Sequence, residues 1–342
     1  MSRTSSLAVV AMVALGVLSL TGCSASAVNA VAPTVAQVKA STITLYTSEP
    51  QAKIDAVVAE FNKEQPQVTV KVFRAGTGEL TTRIETEKTT GGVQADVLLA
   101  ADAGTFERYK ADNLLLKYSP QDIAAVNPDV VDRDGYYVGT RIIPTVIAYN
   151  TTAITKPPTS WQALTGSEYA GKITMPNPDV SGAAAYNAAV WMNTPVLGDK
   201  WLVALAANKP VIAESNGPVA QAVASGTQPV GVVVDYLVRE LKAAGSPIDV
   251  SYPTEGVPYV SQPAGIFAST HQKEASEAFV DFLVSKTGQK LAVQQSYLPI
   301  RNDVGTPAGA PTMDTITILS PDLNVISKTK KAAVARFNAL FH

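Results

Sequence analysis

The sequence lacks most of the residues that enzymes use for nucleophilic or redox chemistry. It contains 342 residues with a single cysteine, Cys23, and two histidines, His271 and His342. One cysteine cannot form an intrachain disulfide, and both histidines are poorly placed for pairing with a nucleophile. The H-E-x-x-H, G-x-S-x-G and P-loop patterns are also missing from the sequence. We therefore predict a protein that is not an enzyme and that needs no cofactor.

Charge is scarce as well. Charged residues make up 16% of the chain and the formal net charge is -2, so the sequence lacks the basic patch that nucleic-acid binding requires. Hydrophobic residues make up 46% of the chain, which is typical of a globular protein with a sizeable core. The length favours two lobes over one. We expect a monomer with no nucleic-acid partner.

The N-terminal segment differs from the rest of the chain. Residues 7–20 form an apolar run that has the length of a signal-peptide core and is short for a spanning helix. The run ends in Leu-Thr-Gly-Cys, which resembles a bacterial lipobox with Cys23 as the lipidated first residue. The alternative is a secretory signal followed by a chance cysteine. We predict a signal peptide over 1–22, a lipidated cysteine and linker over 23–40, and an anchor at the extracytoplasmic face of the membrane.

Strand and helix patterns alternate from residue 42 onward. TITLYTS alternates in the manner of a strand, and the next segment places Ile54, Val57, Val58 and Phe61 on one face of a helix. QVTVKVF and ADVLLAA predict two further strands, with the polar helix ELTTRIETEK between them. This alternation favours an α/β lobe with a mainly parallel sheet.

Two β-rich runs interrupt the alternation and suggest passages between lobes. Residues 135–150 are too long for one ordinary strand, and residues 257–269 look like the return. We predict an α/β protein of two lobes with a ligand cleft between them and two hinge crossings. The first lobe would comprise 41–140 plus 264–342, including the C-terminal helices, and the second lobe would comprise 141–263.

Polar residues follow the predicted strands, where open parallel sheets bind their ligands. The candidate contacts are Ser48, Thr77, Gly78 and Asp102 in the first lobe, and Ser181, Gly182, Asn216 and Tyr236 in the second. Hydroxyl groups and helix N-terminal N–H groups are donors that suit an oxyanion. Taken singly, each Ser, Thr or Asn also fits a plain helix cap.

Arg141 stands between apolar neighbours in the first predicted crossing. A buried arginine there needs an anionic partner, because an unpaired buried charge is costly. Two partners fit the sequence equally well. One is an anionic ligand in the cleft, and the other is an internal carboxylate such as Asp102.

Several segments together resemble one known family. LYTSEP, AGTGEL, QADVLLAAD, TRIIPTVIAYN, ESNGPVAQAVASG, VDYLVRELKAAG and the W-x-x-L segment with its Pro-Asn-Pro loop resemble the ferric-iron and phosphonate branch of ABC-transporter solute-binding proteins. The similarity covers most of residues 42–300. It implies a type II periplasmic-binding-protein fold, binding by lobe closure, delivery to a membrane permease with its ATPase, and no catalysis.

The resemblance leaves two kinds of solute open. Ferric relatives hold iron with two consecutive tyrosines, and this sequence has Asp235-Tyr236 at that place. If the solute is ferric iron, Tyr236 would be a metal ligand, joined on paper by Asp235, Asp102 and Glu49. Otherwise the sequence predicts no metal site, with Tyr236 as an aromatic wall or hydroxyl donor and Asp235 as a helix N-cap.

The residues that the resemblance places in contact with an anion are present in this sequence. Arg141, Ser181 with Gly182, and Asn216 match positions that contact the anion in the family, and the GTGE turn adds donors from the first lobe. Glu255 would either bind an amine of the solute or remain a solvated loop carboxylate. We predict a lipid-anchored protein that captures a phosphonate or organophosphate, with ferric iron as the alternative and a ligand-sensing lipoprotein without transport as the second alternative.

Overall fold

The computed structural model describes residues 37–312, 315–319 and 322–341. The predicted signal peptide, lipidated Cys23 and the linker up to residue 36 lie outside the described residues. Among the helices that are described, none combines the length and the apolar character that crossing a membrane requires.

The chain alternates strands and helices as the sequence patterns predict. Within the described residues, the strands are β1 (Ser41–Thr47), β2 (Val68–Arg74), β3 (Val97–Leu99), β4 (Tyr137–Gly139), β5 (Ile143–Asn150), β6 (Ile173–Pro176), β7 (Val211–Ala213), β8 (Val230–Val234), β9 (Ile248–Ser251), β10 (Tyr259–Val260) and β11 (Pro263–Ile266). The α-helices of the same part of the chain are α1 (Gln51–Glu64), α2 (Thr77–Thr90), α3 (Ala103–Ala111), α4 (Gly182–Met192), α5 (Gly198–Ala207), α6 (Asn216–Ala224), α7 (Asp235–Ala243), α8 (Lys273–Val284), α9 (Lys286–Gln294) and α10 (Leu323–Phe341). Short 3₁₀ turns occupy Ile123–Ala125, Pro128–Val130, Gln162–Thr165 and Ser167–Tyr169.

The first sheet has the strand order β2-β1-β3-β11-β4. β1 is parallel to β2 and to β3, with Ser41 opposite Val68 and Leu45 opposite Val97. Apolar side chains of these strands and of α1 and α8 form one hydrophobic core. Because parallel strands end at the same edge of a sheet, the loops after β1, β2 and β3 lie together.

The second sheet has the strand order β10-β5-β8-β6-β7, with β9 also paired to β5. Its β8, with the sequence VGVVV, is buried throughout, as expected of a central strand of β-branched residues. Trp161, Trp191 and Trp201 pack in the core beside this sheet, with ring centroids 5.3 to 6.3 Å apart. The loops after β6, β7 and β8 place the second set of predicted contacts.

Two short segments join the sheets. Residues 140–142 lead from β4 to β5, and residues 261–262 lead from β10 back to β11. The segments are bonded to each other, because the backbone N–H groups of Thr140 and Arg141 donate to the Ser261 carbonyl at 2.9 and 3.2 Å. A rotation of one lobe against the other would change the backbone torsions of this pair of crossings.

The last helix departs from the predicted lobe division, which places all C-terminal helices with the first lobe. Side chains of α8 lie in the first core, whereas Ile326, Ala333 and Phe337 of α10 lie in the core of the second sheet. α10 also touches α3 of the first lobe, where Lys330 binds Asp102. The apolar stripe of α10 indicates that one face is buried, but it does not indicate which surface covers that face.

Candidate functional site

The first-lobe loops are tied to one another at the edge where the parallel strands end. The Ser48 hydroxyl accepts a hydrogen bond from the backbone N–H of Ala101 at 3.2 Å. The backbone N–H of Ser48 donates to the Leu99 carbonyl at 3.1 Å. Ser48 therefore connects the loop after β1 to the loop after β3. The structure brings this predicted contact residue to the lobe boundary and leaves its side chain half-buried.

The turn before α2 touches the second lobe. Thr77, the first residue of α2, is buried, and its hydroxyl has no hydrogen-bond partner among the described residues. The N–H of Gly78 lies 3.5 Å from the Val180 carbonyl oxygen. A methyl group at Gly78 would lie 2.0 Å from the Asp179 carbonyl oxygen, so only glycine allows this approach. The two lobes are in contact here.

Ser181 begins α4 on the opposite side of that contact. Its hydroxyl oxygen accepts from the N–H of Ala184 at 3.2 Å, as a helix N-cap does, and from Nδ2 of Asn216 at 2.9 Å. A hydroxyl has two acceptor lone pairs and one hydrogen, so both lone pairs are used and the hydrogen is left to donate. A methyl group at Gly182 would lie 2.7 Å from the Thr77 side chain.

Three helix N-termini therefore converge on the boundary between the lobes. α2 begins at Thr77, α4 begins at Gly182 and α6 begins at Asn216, and the contacts above join all three. Each N-terminus carries unpaired N–H groups and the positive end of a helix dipole. Positive ends that face one another are stabilised by an anion placed among them.

Arg141 is buried and has an internal partner. Its Nη1 donates to Oε1 of Glu49 at 2.8 Å, so the carboxylate that pairs with it is Glu49 and not Asp102, the internal partner named from the sequence. Glu49 directly follows Ser48 in the loop after β1, which reaches the first crossing. The other terminal nitrogen of Arg141, Nη2, has no hydrogen-bond partner among the described residues.

Asp102 is paired with the last helix instead. Its Oδ2 accepts from the Thr105 hydroxyl at 2.6 Å and from the ammonium of Lys330 on α10. Its Oδ1 is buried and has no partner among the described groups. The charge of Asp102 is therefore balanced within the protein, which the sequence does not indicate because Lys330 lies far along the chain.

Tyr236 lies against a second tyrosine at the start of α7. The Tyr236 and Tyr297 rings have centroids 4.4 Å apart, and the Lys53 ammonium lies 5.0 and 4.7 Å from the two centroids. Burial raises the pKa of the Tyr236 hydroxyl, and the negative charge of Glu49 raises it further. The phenol form is therefore favoured in this arrangement.

Asp235 does not cap α7. Val234 occupies the N-cap position, and the fully buried carboxylate of Asp235 binds Nη1 of Arg239 at 2.5 Å. Burial raises the pKa of Asp235 and Arg239 opposes that rise. Arg239 also donates to the Ser296 carbonyl at 2.6 Å, next to α9.

Lys53 forms a further contact across the lobe boundary. From α1 of the first lobe, its ammonium binds Glu240 on α7 of the second lobe and donates to the Gln295 carbonyl at 2.6 Å. This contact lies beside the two adjacent tyrosine rings. The lobe boundary therefore has a polar contact here that is separate from the one at Gly78.

The carboxylate of Glu255 binds backbone N–H groups of the second lobe. Its two carboxylate oxygens accept from the backbone N–H groups of Trp161 and Gln162 at 3.1 and 3.0 Å, at the start of the 3₁₀ turn of the W-x-x-L segment. The observed contacts of Glu255 are thus within the second lobe. Both oxygens already serve as backbone acceptors, and the amine contact stays a prediction.

Sequence reasoning missed two residues that shape this region, Tyr297 and Lys53, and gave a third, Glu49, a different role. Tyr297 and Lys53 carry no local signal, since each meets its partners only through folding. Glu49 had a signal, its position directly after a strand that ends at the cleft, and it was named only as a possible iron ligand. All three make contacts that other predicted residues depend on.

Comparison with known proteins identifies the family. A profile of the family described as bacterial extracellular solute-binding protein matches residues 94–328, which is more than half of the chain. The chain belongs to this family. An uncharacterized protein of Haemophilus influenzae is 26% identical to this solute-binding protein over 254 residues, covering 68% of this chain and 70% of the relative.

Solved structures share the architecture. Iron-bound HitA from Pseudomonas aeruginosa superposes with a TM-score of 0.77 at 22% identity, covering 87% of this chain and 99% of that chain. AfuA from Actinobacillus pleuropneumoniae, with fructose-6-phosphate bound, has a TM-score of 0.78 at 21% identity, covering 88% and 98%. A ferric binding protein from Campylobacter jejuni has a TM-score of 0.73 at 18% identity, covering 87% and 99%. At these identities the likeness shows the fold, which is the type II periplasmic-binding fold of two lobes.

The family and the fold confirm the coarse predictions. This solute-binding protein is an exported component of an ABC import system that delivers a small solute to a permease, and it is not an enzyme. The described residues contain no group of three or more His, Cys, Asp or Glu side chains that could hold a metal ion.

Proposed function

We propose that this solute-binding protein captures a small oxyanion, a phosphonate or an organophosphate, between its lobes while a lipid on Cys23 anchors it to the membrane. The donors would be the Thr77 hydroxyl and the N–H groups that begin α2, the Ser181 hydroxyl and the N–H groups that begin α4, and Nη2 of Arg141. The proposal draws residues from both lobes, so the complete set of contacts would exist only when the lobes are closed.

The observation that carries the proposal is the state of two hydroxyl groups. Ser181 accepts two hydrogen bonds and therefore retains one donor, and the hydroxyl of Thr77, a residue that is 4% exposed, has no partner among the described residues. Both groups stand at helix N-termini that face each other across the boundary. Donors without partners, placed at converging positive dipoles, form a site that an anion completes.

The charged side chains near the lobe boundary are already paired with one another, which favours an anionic solute over a metal cation. Their internal pairs are Glu49 with Arg141, Asp102 with Lys330, Asp235 with Arg239, and Glu240 with Lys53. A hard trivalent cation requires several anionic oxygens, and the carboxylates closest to Tyr236 are already engaged by basic groups. An anion held by the two hydroxyls, the helix N-termini and Nη2 of Arg141 leaves every one of these pairs intact.

Binding would proceed by a shift between open and closed lobe arrangements. The open cleft admits the solute, and the closed state gains population because only there do Thr77 and Ser181 both reach it. The glycines at 78 and 182 allow the backbones to approach. Release to the permease would reverse the closure.

Ferric iron is the second candidate, favoured by the adjacent hydroxyl-bearing rings of Tyr236 and Tyr297 beside Glu49. HitA and the Campylobacter protein are iron binders by description, whereas AfuA holds a sugar phosphate. Iron would have to displace the phenol protons, which burial and Glu49 hold more tightly, and to compete with Arg141 for Glu49.

A thermal-shift panel tests the proposed solute class. The panel holds inorganic phosphate, methylphosphonate, aminoethylphosphonate, sugar and glycerol phosphates, and ferric citrate, each with and without a chelator. A solute at about 1,000 times its dissociation constant adds roughly 4 kcal/mol of stability, which raises the melting temperature by roughly 2–4 °C per kcal/mol. We expect a phosphorus compound to raise the melting temperature by this amount even when the chelator is present. A shift with ferric iron alone, with a tyrosinate colour, would establish iron instead.

The two hydroxyl groups are expected to contribute separately to affinity. Thr77→Val keeps the side-chain shape and removes the donor, and Ser181→Ala removes the other donor. A hydrogen bond to a charged group contributes about 1.5–3 kcal/mol, so each change is expected to weaken binding of the shifting compound roughly tenfold to a hundredfold. Isothermal titration calorimetry measures this loss. Thr90→Val at the other end of α2, where the hydroxyl donates to the Thr86 carbonyl and to no other described group, is the matched control and should bind like the unchanged protein.

A further inference from the structure

Glu49 is a buried carboxylate with an unusual number of side-chain partners. It is 1% exposed. Its Oε1 accepts from Nη1 of Arg141 and from the Tyr297 hydroxyl, both at 2.8 Å, and its Oε2 accepts from Nε2 of Gln262 at 2.6 Å. A buried carboxylate is tolerated only when its lone pairs are satisfied in this manner.

Two of the three partners of Glu49 lie one in each hinge crossing. Arg141 lies in residues 140–142, and Gln262 lies in residues 261–262. Gln262 has a φ of 42°, in the left-handed region that a side chain other than glycine rarely adopts, so this crossing is held in an uncommon conformation. The Thr140 hydroxyl donates to the Gln262 carbonyl at 2.8 Å, which joins the crossings a second time. One carboxylate from the first lobe thus holds the two segments that must bend when the lobes move.

The third partner extends this network to the second lobe. The Tyr297 hydroxyl binds Glu49, and the Tyr297 ring packs against Tyr236 at the start of α7 with centroids 4.4 Å apart and ring planes tilted by 49°. The Arg141 guanidinium carbon lies 4.7 Å from the centroid of the same Tyr297 ring. A change in hinge angle would therefore disturb the contacts of Glu49 and of Tyr236 together.

We infer that Glu49 is a positioning residue that sets the hinge of the closed state and aims Arg141 at the solute without touching the solute itself. This inference rests on the proposed function, in which closure around an anion is the binding step. Rotation of a lobe changes the backbone torsions of the crossings and moves Arg141 and Gln262 relative to the carboxylate. The complete set of bonds to Glu49 belongs to one hinge angle, and Nη1 is held so that Nη2 is presented in advance.

Glu49→Gln is the direct test. The amide has the same shape, but it removes the negative charge that faces the Arg141 guanidinium, and its nitrogen replaces one of the two accepting oxygens. Ala59 in α1 and Val203 in α5 are both exposed, and each is replaced by a cysteine that carries a spin label (Ala59→Cys and Val203→Cys). Pulsed electron paramagnetic resonance then reports the distance between the lobes. Cys23→Ser in the full chain leaves the two introduced cysteines as the only thiols that can be labelled. We expect the open-to-closed ratio, measured without solute, to rise about tenfold.

Two further variants complete the design. Tyr297→Phe removes one of the three bonds to Glu49 and keeps the ring on Tyr236, so we expect a smaller shift in the same direction. This variant decides the matter if Glu49→Gln does not fold. Glu60→Gln, which changes a partly exposed carboxylate on α1 that pairs with Lys63, is expected to leave the distances unchanged.

The outcomes separate this inference from the proposed function. Interlobe distances equal to those of the unchanged protein in both Glu49→Gln and Tyr297→Phe, even with a lower unfolding midpoint, would reduce Glu49 to a purely structural role and overturn the inference. If no phosphorus compound stabilises the unchanged protein, the proposed solute class fails, and the distances measured without solute still decide the role of Glu49. Loss of a ferric colour in Glu49→Gln with unchanged distances would make Glu49 an iron ligand and would also overturn the inference.

Discussion

Gly78→Ala is expected to weaken solute binding about tenfold to a hundredfold, because it keeps the lobes from closing fully. The added methyl group would lie 2.0 Å from the Asp179 carbonyl oxygen, which belongs to the backbone of the opposite lobe. A methyl group has no torsion that could move it away, so the lobes must separate. Within the first lobe the change is harmless, since alanine is a better helix former than glycine at the second position of α2.

Calorimetry with the compound that shifts the melting temperature, together with small-angle scattering, measures this effect. Gly217→Ala is the matched control, since Gly217 occupies the same position in α6 and an added methyl group there meets no atom of a neighbouring described residue within 4 Å. We expect the control to bind normally and the urea midpoint of Gly78→Ala to be preserved. Unchanged affinity and scattering for Gly78→Ala would show that this contact is not part of the bound state.

Trp161→Ala is expected to lower the free energy of unfolding by about 3–5 kcal/mol. Trp161 is completely buried, with its ring centroid 5.3 Å from that of Trp191 and 6.3 Å from that of Trp201. Its indole N–H donates to the Gly256 carbonyl at 2.7 Å. Alanine would leave a cavity at the centre of the second core and an acceptor on Gly256 without its partner, and both effects destabilise.

Urea unfolding followed by circular dichroism measures the loss. Val203→Ala on α5, where the side chain is 45% exposed, is the control and is expected to change stability by no more than about 0.5 kcal/mol. Since all three tryptophans lie in this cluster, their fluorescence reports the second lobe separately. A loss below about 1 kcal/mol would mean that the cluster relaxes around the cavity, contrary to the close packing seen here.

Much of the fold was predictable because its signals are local. The alternation of TITLYTS and the apolar face of Ile54, Val57 and Phe61 depend on neighbours within two turns of chain, and β1 and α1 occupy those segments. The apolar surroundings of Arg141 correctly indicated a buried guanidinium. By contrast, the W-x-x-L segment forms a 3₁₀ turn over Gln162–Thr165, and its pattern is too short to distinguish that turn from an α-helix.

The partners of buried charges were not predictable in the same way. The sequence suggests Asp102 as an internal partner of Arg141. In the structure Glu49 binds Arg141, and Asp102 binds Lys330 of α10. Any of the carboxylates at the cleft is chemically able to pair with any of the basic groups. Which pair forms depends on positions within a few tenths of an ångström, and composition and spacing carry no such information.

The sequence by itself determined the alternation of strands and helices, the two crossings between lobes and the polar residues that follow each strand, because these depend on short-range periodicity and turn chemistry. Only the tertiary structure decided that Glu49 joins Arg141, Gln262 and Tyr297, which lie 92, 213 and 248 residues away along the chain. It also decided that α10 spans both lobes and that Gly78 meets Asp179. These contacts arise when distant segments fold together, and the packing of the whole chain selects them from many partners of equal chemistry.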